Sequence, residues 1–151
     1  MPSTAVSTTI LLGLVVVVTT IGLIWRARNG KLREQPDDGE VFTSSDLALL
    51  GAALGERATL LQFSSAFCAP CRTTRVVLGE VSQAVAGVAH VEVDAESHLD
   101  LVRRLDIMRT PTVLVLDAGG RVVKRASGAP RKADVLAALD ALAPAVGEAR
   151  G

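Results

Sequence analysis

The pattern of apolar and polar positions divides the chain into an unbroken apolar start and a longer stretch that alternates between helical and strand periods. From Ala5 to Trp25 it reads AVSTTILLGLVVVVTTIGLIW, with no charged side chain before Arg26. As a helix, this run of about 21 residues extends about 31 Å, close to the hydrocarbon thickness of a bilayer. It is apolar on every side, which does not suit a helix with one buried face. Its Thr and Gly residues are tolerated because a helix satisfies its own backbone groups. Trp25 falls where an interfacial aromatic belongs. The rival reading, a cleaved signal peptide, fits less well: residues 1–25 hold no basic n-region and no small-x-small site precedes Arg26. Residues 5–25 are therefore expected to form a retained transmembrane helix, and residues 26–40 (RARNGKLREQPDDGE), polar and rich in turn formers, a juxtamembrane linker.

The remainder predicts the order αβαβαββα. Ser44 or Ser45 can cap a helix running through Leu47, Leu50 and Leu54. Thr59–Ser64 (TLLQFS) is a short, mostly apolar run suited to a buried strand. Cys71–Ala86 carries Val76, Val77, Val81 and Val85 at helical spacing, and His90–Asp94 (HVEVD) alternates as a strand does. A helix is expected over Leu99–Leu105, a strand over Thr112–Leu116, a turn at Asp117–Gly120, a returning strand over Arg121–Arg125 and a closing helix over Lys132–Leu142. This order implies an α/β sandwich, with a mixed central sheet and helices on both faces. Residues 144–151 read as a flexible tail.

Charge changes the picture only when divided along the chain. The 16 basic and 16 acidic residues balance overall. Residues 1–35 hold Arg26, Arg28, Lys31 and Arg33 against Glu34, leaving 12 basic and 15 acidic residues beyond them. A mildly acidic domain without a basic cluster is not built for nucleic acid.

The only two cysteines, Cys68 and Cys71, stand two residues apart. A disulfide framework would staple distant segments, and two sulfurs do not complete a four-ligand zinc site. His90 and His98 do not supply a usual ligand spacing. Redox exchange is the favoured reading, with metal binding or redox sensing as alternatives and inert structure behind them. The run Phe67-Cys68-Ala69-Pro70-Cys71-Arg72 follows a predicted strand and opens a predicted helix. Unpaired N–H groups and positive partial charge at a helix N-terminus favour a thiolate, which is the nucleophile. Pro70 fits the first turn, where its missing N–H costs nothing. Cys68 is the expected exposed attacker, and Cys71, one turn in, the expected resolver.

These features, together with Phe63, Asp94, the Ile107–Thr112 stretch (IMRTPT), Gly119-Gly120 and Gly128, make residues 41–143 resemble the thioredoxin superfamily. The resemblance implies a thioredoxin-like three-layer sandwich preceded by one N-terminal transmembrane helix. It implies a thiol–disulfide oxidoreductase that needs no cofactor beyond its Cys68–Cys71 disulfide and no metal. It implies a cis bond before Pro111, facing the cysteines, where an ordinary trans proline at a strand start is the plain alternative. Phe67, Ala69, Pro70, Thr110 and Pro111 would form the substrate-binding surface, the backbone before Pro111 pairing with a substrate peptide. Thr110 reads equally as a simple strand residue. Gln62, Arg72 and His90 would tune the cysteines, although Arg72 also reads as a solvated helix charge and His90 as a satisfied strand histidine. The chain departs from the family's usual pattern at Phe67 (tryptophan), Ala69 (glycine), Gln62 (a buried aspartate), His90 (lysine) and Ser64-Ser65 (an upstream aromatic).

The partners implied are protein disulfides and an electron donor that the residues do not identify. A membrane-tethered redox sensor, or a donor dedicated to one partner, is the alternative to a general reductase. Arg26, Arg28, Lys31 and Arg33 follow the apolar run closely, and cations so placed favour the cytoplasmic face for the catalytic domain. The extracytoplasmic face, where anchored bacterial thioredoxin-like proteins commonly work, is the alternative.

Overall fold

Five strands form one mixed sheet in the computed structural model, which describes residues 2–35 and 40–142. The tail expected at 144–151 and the linker residues 36–39 lie outside the described residues. The first element, α1 (Pro2–Arg28), contains the apolar run, and over Val6–Arg28 it buries nothing against the rest of the chain. It is long and apolar enough to cross a membrane.

The sheet comprises β1 (Arg33–Glu34), β2 (Ala58–Ser64), β3 (Val88–Asp94), β4 (Thr112–Asp117) and β5 (Val122–Ser127), in the order β1-β5-β4-β2-β3. The β2–β3 pair is parallel and the other pairs are antiparallel. The helices are α2 (Ser44–Leu49), α3 (Ala69–Ala84), α4 (Leu99–Arg104) and α5 (Lys132–Ala141).

Strand alternation splits the core between the two faces of the sheet. Leu61, Phe63, Leu114 and Leu116 pack with Leu47, Leu105 and Ile107 on one side. Leu60, Val113 and Val115 pack with Leu78, Val81, Val135 and Leu139 on the other. β2 and β4 are buried on both faces, which accounts for their nearly continuous apolar sequence. Gln62 shares the parity of Leu60, so β2 aims it at the face covered by α3.

Three elements differ from expectation. The first helix is capped by Thr43, not by Ser44 or Ser45, because Asp46 completes a capping box: Asp46 N–H donates to Thr43 Oγ1 at 3.2 Å, and Thr43 N–H donates to Asp46 Oδ2 at 2.8 Å. That helix ends at Leu49 rather than reaching Leu54, since Gly51 takes a φ of +69° that reverses the chain. The returning strand runs over Val122–Ser127 rather than Arg121–Arg125, and the linker supplies the short strand β1. Arg33 pairs with Arg125 and Glu34 with Lys124, giving β5 a partner on its outer edge.

The linker is further tied to the domain. Gly30 N–H donates to Ser127 O at 3.1 Å, and Gln35 N–H to Val123 O at 3.0 Å. Gly30 has a φ of +77°, and a Cβ there would stand 2.0 Å from Ala129 O, so this approach requires glycine.

Candidate active site

β2 delivers the chain to the edge of the sheet, where Cys68 becomes the N-cap of α3. Cys68 has an extended backbone (φ −92°, ψ 95°), and its Sγ accepts the Cys71 N–H at 3.2 Å. That N–H also donates to Cys68 O at 3.1 Å, so the sulfur shares a donor at the helix start. Ala69 and Pro70 occupy the first turn and are exposed; Phe67 is completely exposed. Cys68 is partly exposed, whereas Cys71 faces the core at 2% exposure. The two sulfurs form a disulfide with an S–S distance of 2.01 Å.

The Thr110–Pro111 bond is cis, and Pro111 is buried at the start of β4. The Thr110 and Ser65 hydroxyls hydrogen-bond at 2.9 Å, joining the proline loop to the turn before Cys68. On its other side the loop is held by Gly128 N–H, which donates to Pro111 O at 2.7 Å.

Gln62 is fully buried and uses both ends of its amide. Its Nε2 donates to Cys71 O at 3.0 Å and to Ser64 Oγ at 2.9 Å. Its Oε1 is thereby left to accept from His90 Nε2 at 3.1 Å, which places the proton of the neutral imidazole on Nε2. The Ser64 hydroxyl in turn hydrogen-bonds the Glu92 carboxylate, which Arg75 grips bidentately at 2.5 and 2.7 Å. A polar chain therefore runs from His90 through Gln62 and Ser64 to Glu92. Among the described residues no buried side-chain N or O lacks a partner.

Burial lowers the His90 pKa; the Glu92 charge opposes this and the Arg75 charge adds to it. Burial pushes the Glu92 carboxyl up but is outweighed by the hydrogen bonds from Arg75 and Ser64 and by the charges of Arg75 and His90, so its pKa is lowered. Asp94, at the end of β3, is lowered chiefly by the Ser97 hydroxyl at 2.5 Å. Arg72 is exposed on α3.

One concavity is lined by both cysteines, and a second reaches Pro70, which stands between them in the sequence. A pocket of about 480 Å³ is lined by Ser64, Cys68, Cys71, Arg72, Arg75, Glu92 and Asp94, among others. It opens where the small Ser64 stands. A larger groove of about 1150 Å³ runs from Pro70, Thr110 and Pro111 to Trp25 and Arg26 at the end of α1.

Gln62 and His90 are thus brought together beneath Cys71, and Phe67, Ala69 and Pro70 surround Cys68. Thr110 and Pro111 share the large groove with Pro70 but not the small pocket. Sequence reasoning missed Ser65 as a tie to the proline loop, and Glu92 and Arg75 as the outer end of the Gln62 network. Strand parity was the available signal for that network, because it puts Gln62 and Ser64 on one face. Among the described residues no group of three or more His, Cys, Asp or Glu side chains is placed to hold a metal.

Comparison with known proteins agrees with this geometry. The Thioredoxin family model matches residues 51–141. Thioredoxin of Alicyclobacillus acidocaldarius subsp. acidocaldarius is 33% identical over 99 residues, covering 65% of this chain and 93% of that protein. Thioredoxin C-2 of Corynebacterium nephridii is 35% identical over 77 residues, covering 50% and 71% respectively. Among solved structures, oxidized mitochondrial thioredoxin 3 of Saccharomyces cerevisiae superposes with a TM-score of 0.53 at 18% identity, covering 64% of this chain and 87% of that one. That likeness speaks to the fold alone.

Proposed function

The chain belongs to the thioredoxin family of thiol–disulfide oxidoreductases, and we propose that it is a membrane-anchored protein-disulfide reductase in which Cys68 attacks and Cys71 resolves. The observation that carries this reading is the asymmetry of the pair: Cys68 is partly exposed and its Sγ accepts a helix N-terminal N–H, while Cys71 is 2% exposed. The Cys68 thiolate attacks one sulfur of a substrate disulfide and expels the other as a thiolate. Cys71, deprotonated, then attacks Cys68 Sγ, closes the Cys68–Cys71 bond and releases the second substrate thiolate. The substrate gains two electrons and the protein loses two, so an external dithiol-type donor must restore the cysteines.

Phe67, Ala69, Pro70, Thr110 and Pro111 form the substrate surface in this reading. Gln62 acts on the resolving step by holding the Cys71 carbonyl, with His90 orienting the amide. Arg72, on the first turns of α3, adds positive charge near the thiolate. Trapping tests the roles: Cys71→Ser should accumulate mixed disulfides with substrate, and Cys68→Ser should form none. Equal trapping by both variants overturns the assignment.

The anchor is α1, with residues 41–143 as the catalytic domain beyond a linker at 26–40. Arg26, Arg28, Lys31 and Arg33 favour the cytoplasmic face, where the pair is kept reduced. The test is a membrane-impermeant thiol reagent applied to intact cells after a mild reducing pulse. Protection of Cys68 until the cells are broken supports the cytoplasmic side; labelling in intact cells places the domain outside.

A further inference from the structure

The end of the apolar helix and the substrate surface share one groove. Trp25 and Arg26 line it at one end, and Pro70, Thr110 and Pro111 at the other. The junction is fixed rather than loose, through β1 on β5, the Gly30–Ser127 bond and the glycine-only approach to Ala129. Arg109, two residues before the cis proline, lies with its guanidinium carbon 5.8 Å from the centre of the Trp25 ring. Beyond Trp25 the helix rises only roughly 4.5 Å to its end at Arg28. If Trp25 marks the bilayer interface, the groove opens at headgroup level.

Its charge is one-sided. Arg26, Lys31, Arg109, Lys124 and Arg131 line it, against Asp134. None of the five cations makes an ion pair among the described residues. The contrast with the small pocket is direct, since there Arg75 is already neutralised by Glu92. The chain as a whole is charge-balanced, with 16 basic and 16 acidic residues; the juxtamembrane stretch supplies Arg26 and Lys31, and the fold adds Arg109, Lys124 and Arg131 from the mildly acidic part beyond residue 35.

We propose that this groove docks an acidic, extended juxtamembrane segment of another membrane protein, presenting its disulfide to Cys68 close to the bilayer surface. This rests on the anchored-reductase reading above and narrows its substrate class. A peptide lying along the groove meets the proline loop and Pro70 before reaching sulfur, which a lipid headgroup held at Trp25 does not need to do. Complementary charge accelerates encounter and selects against basic partners, an effect that salt weakens.

The test uses the full chain, reduced and desalted, in phosphatidylcholine vesicles. Two synthetic single-span peptides carry the same small disulfide loop next to the membrane, flanked by Glu in one and Lys in the other. Single-turnover reduction should be about tenfold faster for the acidic peptide at low salt, with the preference shrinking at high salt. Lys124→Glu/Arg131→Glu should reverse the preference, and Lys124→Gln/Arg131→Gln should reduce it, each variant first shown to co-float with vesicles and to reduce a small aromatic disulfide. Equal rates for the two peptides from a co-floating, active chain overturn the docking proposal and leave the reductase standing. If the rates are equal and the Glu variants alter only the groove's response to added phosphatidylglycerol, the groove is a headgroup site and the proposal fails. A chain that does not co-float removes the anchor and the proposal with it. A chain that reduces neither peptide nor the small disulfide removes the reductase reading itself.

Discussion

Helix α1 ends beside the large groove and helix α3 begins at the cysteines, yet they use apolar residues in opposite ways. Along α1 the large apolar side chains from Val6 to Trp25 are 52–66% exposed. Along α3, Cys71, Thr74, Leu78 and Val81 are buried at intervals of three and four, while Arg72, Arg75 and Val76 face out. Burying a large aliphatic side chain is worth roughly 1.5–3 kcal/mol, so leaving all of α1 in water forgoes on the order of tens of kcal/mol. Among the described residues nothing covers that surface, which a bilayer would. The difference teaches that hydrophobicity alone does not mark a core: the period does. A one-sided stripe points inward to the sheet, and an all-round apolar surface points to a different solvent.

The sharpest way to break this comparison is truncation on the α3 stripe. Leu78→Ala should destabilise the domain by about 2–5 kcal/mol, read as a lower denaturant midpoint. An unchanged midpoint would mean that the stripe is not the core. Next in size is Gln62→Asp, which removes the amide's donors to Cys71 O and Ser64 and buries a carboxyl among former acceptors. A loss of about 1–3 kcal/mol is expected, with an altered rate of release of the mixed disulfide because a titratable group then stands near Cys71. If stability and resolving rate both stay put, Gln62 does not govern that end of α3.

A smaller effect should appear with pH. The His90 pKa is lowered from its usual 6.5, chiefly by burial. The unfolded chain therefore binds more protons as pH falls below about 6.5. Stability should decline from there down to the folded-state value, and His90→Gln should flatten that part of the curve. Parallel curves for the two proteins would contradict the half-buried, neutral imidazole bonded to Gln62. The smallest effect is expected on α1, where Leu12→Ala should change domain unfolding by less than about 0.5 kcal/mol. A large shift there would show that α1 packs on the domain.

Much of the fold was legible because β2 and β4 are continuous apolar runs and α3 follows a cysteine pair that opens a helix. Residues that act through pairing rather than through their own pattern were hidden. Arg33 and Glu34 look like linker, and they become a strand only because β5 has a free edge. Thr43 caps α2 because Asp46 reaches back, a reciprocity that Ser44 and Ser45 mask in the sequence. Glu92 and Arg75 carry no pattern of their own, and their link to Cys71 runs through Gln62 and Ser64, a connection that needs the β2–β3 register. The sequence suggests an interfacial place for Trp25, while its contact with Arg109 depends on how the linker docks.

The central claim is that the helix cap makes two chemically similar cysteines unequal. Brief alkylation of the reduced full chain with limiting iodoacetamide, followed by peptide mass analysis, measures this directly. Modification concentrated on Cys68, with Cys71 reacting only after unfolding, is the predicted result. Equal modification of Cys68 and Cys71 in the folded protein would contradict it.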